Sequence, residues 1–208
     1  MLTMITAAGM ALSMMSAPAA AQVADPPPPD RVVIDVETVN GSGCPRGTAA
    51  VATATDNTAF TVTYSQYTAQ VGDGSGPTDL RKNCQLGLRV HIPQGFTYAV
   101  EQADYRGFAY LSKGASAVQQ ASYYIQGTSP TTRSSHPFGG PYNDNWQFTD
   151  RTQTADLVYA PCGEERFLNV NTELRVNAGS SGNNSSFVSM DSTDGGVSTK
   201  YHFHWKKC

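Results

Sequence analysis

Between Leu168 and Val176 the chain alternates apolar and polar residues, with Thr172 the one polar residue on the apolar parity. Leu168, Val170, Leu174 and Val176 share one parity, while Asn169, Asn171, Glu173 and Arg175 share the other. Successive side chains of a strand leave opposite faces, so this run buries one face and wets the other. The same period of two recurs in Phe60-Thr61-Val62-Thr63-Tyr64 and at Leu86, Leu88, Val90 and Ile92. It recurs again at Phe96, Tyr98 and Val100, and in the closing run Tyr201-His202-Phe203-His204-Trp205. Alternation of this kind argues half-buried antiparallel strands.

Turn signals separate the runs. Asp73-Gly74-Ser75-Gly76-Pro77, Pro93-Gln94-Gly95, Gly139-Gly140-Pro141, Gly179-Ser180-Ser181-Gly182 and Asp194-Gly195-Gly196 are of this type. The segment from Ala115 to Ile125 fits both periods: Ala115, Ala117, Ala121, Tyr123 and Ile125 suit a strand, and Ala115, Val118 and Ser122 suit a helical turn. Closely spaced turns and β-branched and aromatic content predict an all-β fold, an antiparallel β-sandwich with at most one short helix.

Residues 1 to 24 carry no charge, and Ala19 and Ala21 satisfy the small-residue rule for signal cleavage. Residues 1–21 are therefore read as a signal peptide, with Gln22 first in the mature chain, although no Lys or Arg precedes the apolar stretch. A membrane anchor is the rival reading; Pro18 and an apolar part shorter than the ~20 residues of a bilayer span argue against it. Residues 22–30, with Pro26 to Pro29, read as a stiff proline-rich leader. Residues 31–208 read as a single β-sandwich domain. The expected location is secreted, extracellular or cell-wall associated, with no membrane contact after signal cleavage.

The 17 acids and 14 bases give a formal charge of −3. Lys and Arg are scattered, so neither nucleic acid nor an anionic membrane is an expected partner. Four cysteines, Cys44, Cys84, Cys162 and Cys208, make an even set, which in an exported chain reads as two disulfides. Three pairings can be drawn. Cys44–Cys84 with Cys162–Cys208 is preferred, because nested or crossed pairings would link the two ends of the chain. A zinc–thiolate site is disfavoured because no C-x-x-C pair occurs.

No G-x-S-x-G, H-E-x-x-H, P-loop or dinucleotide-binding glycine fingerprint is present. A copper histidine brace needs His at the mature N-terminus, where Gln22 stands. No motif calls for a cofactor. His202 and His204, two apart on an expected strand, leave one face together and are candidate metal ligands, with His91 as a third. The competing reading leaves them as outward partners of a buried Tyr201, Phe203 and Trp205. Asp191-Ser192-Thr193-Asp194-Gly195 resembles a calcium loop, but an Asx turn accounts for it better. Glu164 and Glu165 could belong to a glycosidase carboxylate pair or simply be solvated acids. Tyr142, Asn143, Asp144 and Trp146 form the candidate ligand-binding segment: rings give apolar area and amides give hydrogen bonds, as a sugar or protein contact needs. With two Trp in the chain, a place in the core is the better reading of Trp146 itself. Asn40, Asn183 and Asn184 head N-glycosylation sequons.

Several stretches resemble a known family. They are Val39-Asn40-Gly41-Ser42-Gly43-Cys44-Pro45, Phe60-Thr61-Val62-Thr63-Tyr64-Ser65, Arg81-Lys82-Asn83-Cys84-Gln85-Leu86 and Asp104-Tyr105-Arg106-Gly107. Ala160-Pro161-Cys162-Gly163, the run from Leu168 to Arg175, and the run from Met190 to Gly195 complete the set. Together they resemble domain of unknown function 4360, small secreted proteins of actinomycetes and fungi. The resemblance implies a secreted β-protein with all four cysteines at family positions. It implies no activity and carries over no functional residue.

The preferred reading of function is a non-catalytic extracellular module that binds a cell-wall polymer, another polysaccharide or a secreted protein. One alternative is an extracellular hydrolase or metal-dependent enzyme, which needs His91, His136, His202 and His204 or a carboxylate pair gathered in a pocket. A second alternative is an inhibitor of secreted hydrolases.

Overall fold

Strands dominate the computed structural model, which describes residues 24–129, 131–190 and 198–208. The expected signal peptide, residues 1–21, and the loop 191–195 lie outside the described residues. Twelve strands follow one another: β1 (Val33–Asn40), β2 (Ala49–Thr53), β3 (Ala59–Tyr64), β4 (Thr68–Val71), β5 (Arg81–His91) and β6 (Phe96–Leu111). Then come β7 (Ser116–Ile125), β8 (Thr132–Gly139), β9 (Tyr142–Arg151), β10 (Phe167–Asn177), β11 (Ser186–Ser189) and β12 (Thr199–Lys207). Two three-residue 3-10 turns, Thr154–Asp156 and Gly179–Ser181, are the helical elements among the described residues. The ambiguous segment after Ala115 is strand β7, with Ala117, Ala121, Tyr123 and Ile125 all buried.

One sheet has the order β1-β5-β10-β7-β8 and the other β2-β3-β12-β6-β11-β4, with β9 also on β6. The pairings are antiparallel throughout. β6 acts as the spine of the second sheet. Its residues 102–104 pair with both β12 and β9, and residues 108–110 pair with both β11 and β9. β12 and β11 therefore share one edge of β6 in succession, and β9 takes the other.

The inner faces differ in character. The five-stranded sheet contributes aliphatic side chains: Leu86, Leu88 and Val90 from β5, and Leu168, Val170, Leu174 and Val176 from β10. The seven-stranded sheet answers with rings: Phe60, Tyr64, Tyr98, Tyr105, Tyr201, Phe203 and Trp205. Phe60 stacks on Tyr201 at 4.9 Å, and Tyr98 meets Phe203 edge-on at 5.2 Å. Such offset and T-shaped contacts add to the area they bury.

Two disulfides form, Cys44–Cys84 and Cys162–Cys208, as preferred from the sequence. Cys44 and Cys84 are buried, whereas Cys162 and Cys208 are exposed. Thiol–disulfide exchange needs access to sulfur. A mild reductant applied to the folded protein is therefore expected to open Cys162–Cys208 first. Timed alkylation with peptide mapping checks this; equal labelling of all four cysteines would contradict it.

The proline leader lies against the domain. Pro28 is buried, and the Asn57 side-chain amide donates to the carbonyls of Pro28 (3.0 Å) and Asp30 (2.8 Å). The Asp25 amide donates to the Trp205 carbonyl at 3.1 Å.

Candidate functional site

Past Gln102 the even-numbered residues of β6 face solvent, because Ala103, Tyr105, Ala109 and Leu111 point into the core. Phe108 and Tyr110 therefore stand on the outer face. Register places Asn143 of β9, Tyr110 of β6, Phe187 of β11 and Gln70 of β4 side by side across the sheet. The next row holds Asn145, Phe108, Ser189 and Thr68. Phe187 lies 6.2 Å from Tyr110 and 5.9 Å from Phe108, centroid to centroid. Tyr110 is 40% exposed, and no other aromatic among the described residues is as open. The result is an apolar ridge of three rings edged by the amides of Asn143, Asn145 and Gln70. An open groove of about 600 Å³ continues from Tyr110 past Lys113, Pro141, Tyr142, Asn143 and Asn184.

The four residues singled out in the sequence divide between two faces of β9. Asn143 is exposed and beside Tyr110. Asp144 is exposed, and its Oδ1 accepts from the Asn145 backbone amide at 2.7 Å. Tyr142 is half-buried, with its ring 5.5 Å from Phe138 and its hydroxyl donating to the Asn145 carbonyl at 2.9 Å. Burial, and after it the Asp144 charge, raises that phenol above its ordinary value, so it remains a donor. Trp146 takes its place in the core and so leaves the set of candidate ligand-binding residues. It is 3% exposed and stacks on Phe148 at 5.4 Å, so its indole is closed to a ligand. The exposed ring surface that the sequence placed there belongs to Tyr110, Phe108 and Phe187.

Trp146 still shapes the site, because it lies over Gly107, its partner in register on β6. A Cβ at residue 107 would stand 2.2 Å from the indole and 2.0 Å from the Ser189 carbonyl oxygen. Neither neighbour can retreat without disturbing the ridge. Gly107→Ala is expected to destabilise by about 1–3 kcal/mol through overpacking. Urea denaturation followed by far-UV circular dichroism measures this; a wild-type midpoint would refute the close contact.

The four histidines take four separate partners. His91 Nε2 meets Asp35 Oδ2 at 2.8 Å, and His136 Nε2 meets Asp150 Oδ1 at 2.9 Å. His202 Nε2 meets Asp104 Oδ2 at 2.8 Å, and His204 Nδ1 meets the Tyr159 hydroxyl at 2.8 Å. His202 and His204 share the outer face of β12, but His204 is buried beneath Tyr159, while His91 belongs to the opposite sheet. No group of three His, Cys, Asp or Glu side chains placed to hold a metal occurs among the described residues. Glu164 pairs with Arg166 at 2.6 Å, and Glu165 with Arg89 at 3.2 Å and with His91 Nδ1 at 3.8 Å.

Asp104 stands on the same outer face as the ridge. Burial pushes its carboxyl up, but hydrogen bonds from Thr149, Gln102 and His202 outweigh this and hold it below the ordinary value. A carboxyl lowered by folding stabilises the fold above its unfolded value, near pH 4 for Asp. That contribution disappears as pH falls through the lowered folded value. Asp104→Asn is expected to flatten the fall in Tm below about pH 4. An acid limb identical to that of the wild type would sink the assignment.

Comparison with known proteins settles the lineage. The model of the family described as Domain of unknown function (DUF4360) matches residues 30–208. The chain belongs to the DUF4360 family. A relative from Arthroderma benhamiae, described as an uncharacterized secreted protein, is 36% identical over 182 residues, covering 88% of this chain and 74% of its own. The disulfides of this DUF4360 chain agree with an oxidising, extracellular setting. Among solved structures, TmCBM61 in complex with beta-1,4-galactotriose overlaps 82% of the chain and 88% of its own, at a TM-score of 0.30 and 11% identity. An overlap at that score says nothing about what the DUF4360 chain binds.

Proposed function

We propose that this DUF4360 chain is a non-catalytic extracellular module that holds a neutral polysaccharide on the Tyr110–Phe187 ridge. The observation that carries the reading is the row Asn143–Tyr110–Phe187–Gln70, an exposed Tyr110 beside a half-buried Phe187 with an amide at each side. The faces of a sugar ring are apolar and its edge bears hydroxyls. Aromatic planes match the faces, and side-chain amides, each both donor and acceptor, match the edge. Tyrosine suits the role because it offers large, rigid area with few rotamers to freeze. The hydrolase alternative draws less support, since His136, His202 and His204 each have a different partner, while His91 and Glu165 meet on the exposed surface of the other sheet in ion pairs with Asp35 and Arg89.

The test is native electrophoresis through gels containing soluble wall polymers (β-glucans, galactans and mannans). At least one polymer is expected to retard the wild type. Tyr110→Ala is expected to weaken that binding more than tenfold, about 1.4 kcal/mol, as loss of a central aromatic contact does. No retardation in any gel, or full retention by the variant, would overturn the proposal.

A further inference from the structure

The outer face of the five-stranded sheet carries a different chemistry, in a groove of about 210 Å³. Register builds its floor from two rows. The first is Gln85 of β5, Asn171 of β10, Ser122 of β7 and Arg133 of β8. The second is Asn83, Glu173, Gln120 and Ser135 on the same four strands. No aromatic ring lines the groove. It presents amides, hydroxyls and guanidinium groups, so a ligand would be held by hydrogen bonds and charge.

The charges are unevenly committed. Glu173 accepts from Arg81 Nε at 2.8 Å and is also paired with Arg175. Burial raises its carboxyl, but the bonds from those two arginines prevail and hold it low, so it stays ionised. Arg133 is exposed and makes no ion pair among the described residues. Gln85 and Asn171 likewise have no side-chain hydrogen-bond partner among the described residues. Two guanidinium groups, Arg81 and Arg133, against the one carboxylate of Glu173 give the groove lining a local positive balance on a chain whose formal charge is −3. A guanidinium fork matches a carboxylate with two parallel hydrogen bonds. Glu173 repels a densely charged polyanion, whereas a ligand with one carboxylate among many hydroxyls meets Arg133 and the amides together.

We infer that this groove is a second binding site, separate from the aromatic ridge, for a saccharide chain bearing carboxylates. Its occupant is a uronate-containing polysaccharide, with a carboxylate on Arg133 and sugar hydroxyls on Asn171, Gln85 and Gln120. The two sites lie on opposite outer faces of the sandwich, so one molecule can hold a neutral and an acidic chain at once.

The test is calorimetric titration of the full chain with a xylooligosaccharide bearing a single glucuronic acid branch and with its methyl ester. Saturable binding of the acid is expected, at least tenfold weaker for the ester and weaker at raised ionic strength. Arg133→Gln and Asn171→Ala change solvent-facing side chains; each is expected to weaken acid binding, the former more than tenfold, with an unchanged Tm. Tyr110→Ala is expected to leave acid binding intact, which separates this site from the ridge. No saturable binding of the acid, equal binding of the ester, or wild-type binding by Arg133→Gln would overturn the inference. Loss of acid binding in Tyr110→Ala would overturn it too.

Discussion

Trp205→Ala is expected to lower the unfolding free energy by about 3–5 kcal/mol, the usual cost of deleting a fully buried large ring. Trp205 is 1% exposed and lies 5.2 Å from Phe203 and 6.1 Å from Tyr98. Its loss removes those ring contacts and leaves a cavity that neighbouring strands cannot close. It also strands a polar group: the indole Nε1–H donates to the Asn57 carbonyl at 2.8 Å, in a buried bond. Asn57, at φ 57°, in turn receives the Val32 amide and holds the proline leader. The damage therefore extends beyond one ring. Urea denaturation followed by far-UV circular dichroism reads it directly. With m of about 1–3 kcal/mol/M, the midpoint should fall by about 1 M or more. Trp205→Phe, which keeps a ring but not the donor, should fall between wild type and alanine. A wild-type midpoint for the alanine variant would mean that this end of the sandwich is not part of the cooperative core.

The second large effect concerns the buried bridge. Replacing Cys44 and Cys84 together by serine is expected to cost about 2–5 kcal/mol. The loops closed by the two disulfides are nearly equal, at sequence separations of 40 and 46, so chain entropy assigns them almost the same value, roughly 4 kcal/mol. Their surroundings differ. Cys44 and Cys84 are within 1% of full burial, among the core side chains, and two serine hydroxyls there must find partners or bear a desolvation penalty. Cys162 and Cys208 are exposed, so serines there remain hydrated. The Cys44/Cys84 variant should therefore have the lower Tm of the two. Equal losses would show that closure entropy dominates; a larger loss at Cys162/Cys208 would contradict the argument from burial.

The sandwich was legible because most of its strands obey one rule throughout. β3, β5, β10 and β12 keep most apolar and polar residues on fixed parities, and the large apolar side chains that the alternation names are buried, although Ala59, Gly87 and His204 are buried on the other parity. β6 was legible only as far as Val100. There Phe203 pairs with Val100 and His202 with Gln102, so Glu101 has no opposite number. One extra residue exchanges the two faces, as a β-bulge must. Tyr98 and Val100 face inward before it, and Ala103 and Tyr105 face inward after it. A pattern that changes phase reads as the end of a strand, so local periodicity does not assign Phe108 and Tyr110 to an outer face. Phe187 was hidden for another reason: it is brought beside Tyr110 by pairing between strands distant in sequence, which no local period reveals.

β9 shows the converse error. Tyr142-Asn143-Asp144-Asn145-Trp146 follows Gly-Gly-Pro and looks like a loop, yet it is a strand. Its outward residues are polar, and near its start even the inward-parity Asp144 is wet. The Asn residues were rightly read as surface, but their ring partners come from the neighbouring strand. Gln119 is polar, yet it is buried at an inward position of β7 between Ala117 and Ala121. Hydrophobic alternation cannot flag an amide inside the core.

The course of β6 also decides how the molecule can be tethered. Its first residue, Phe96, pairs with Lys207, and the Lys207 amide donates to Asp25 Oδ2, so the proline-rich segment and the C-terminal strand meet at that end. Tyr110 stands fourteen strand steps away, roughly 45 Å at ~3.3 Å per residue. A label, bead or fused domain attached at either end of the domain emerges from the pole opposite the ridge. Immobilisation through the C-terminus should therefore leave the ridge open to long polymers, and a surface bearing the module in that way would present its aromatic face outward.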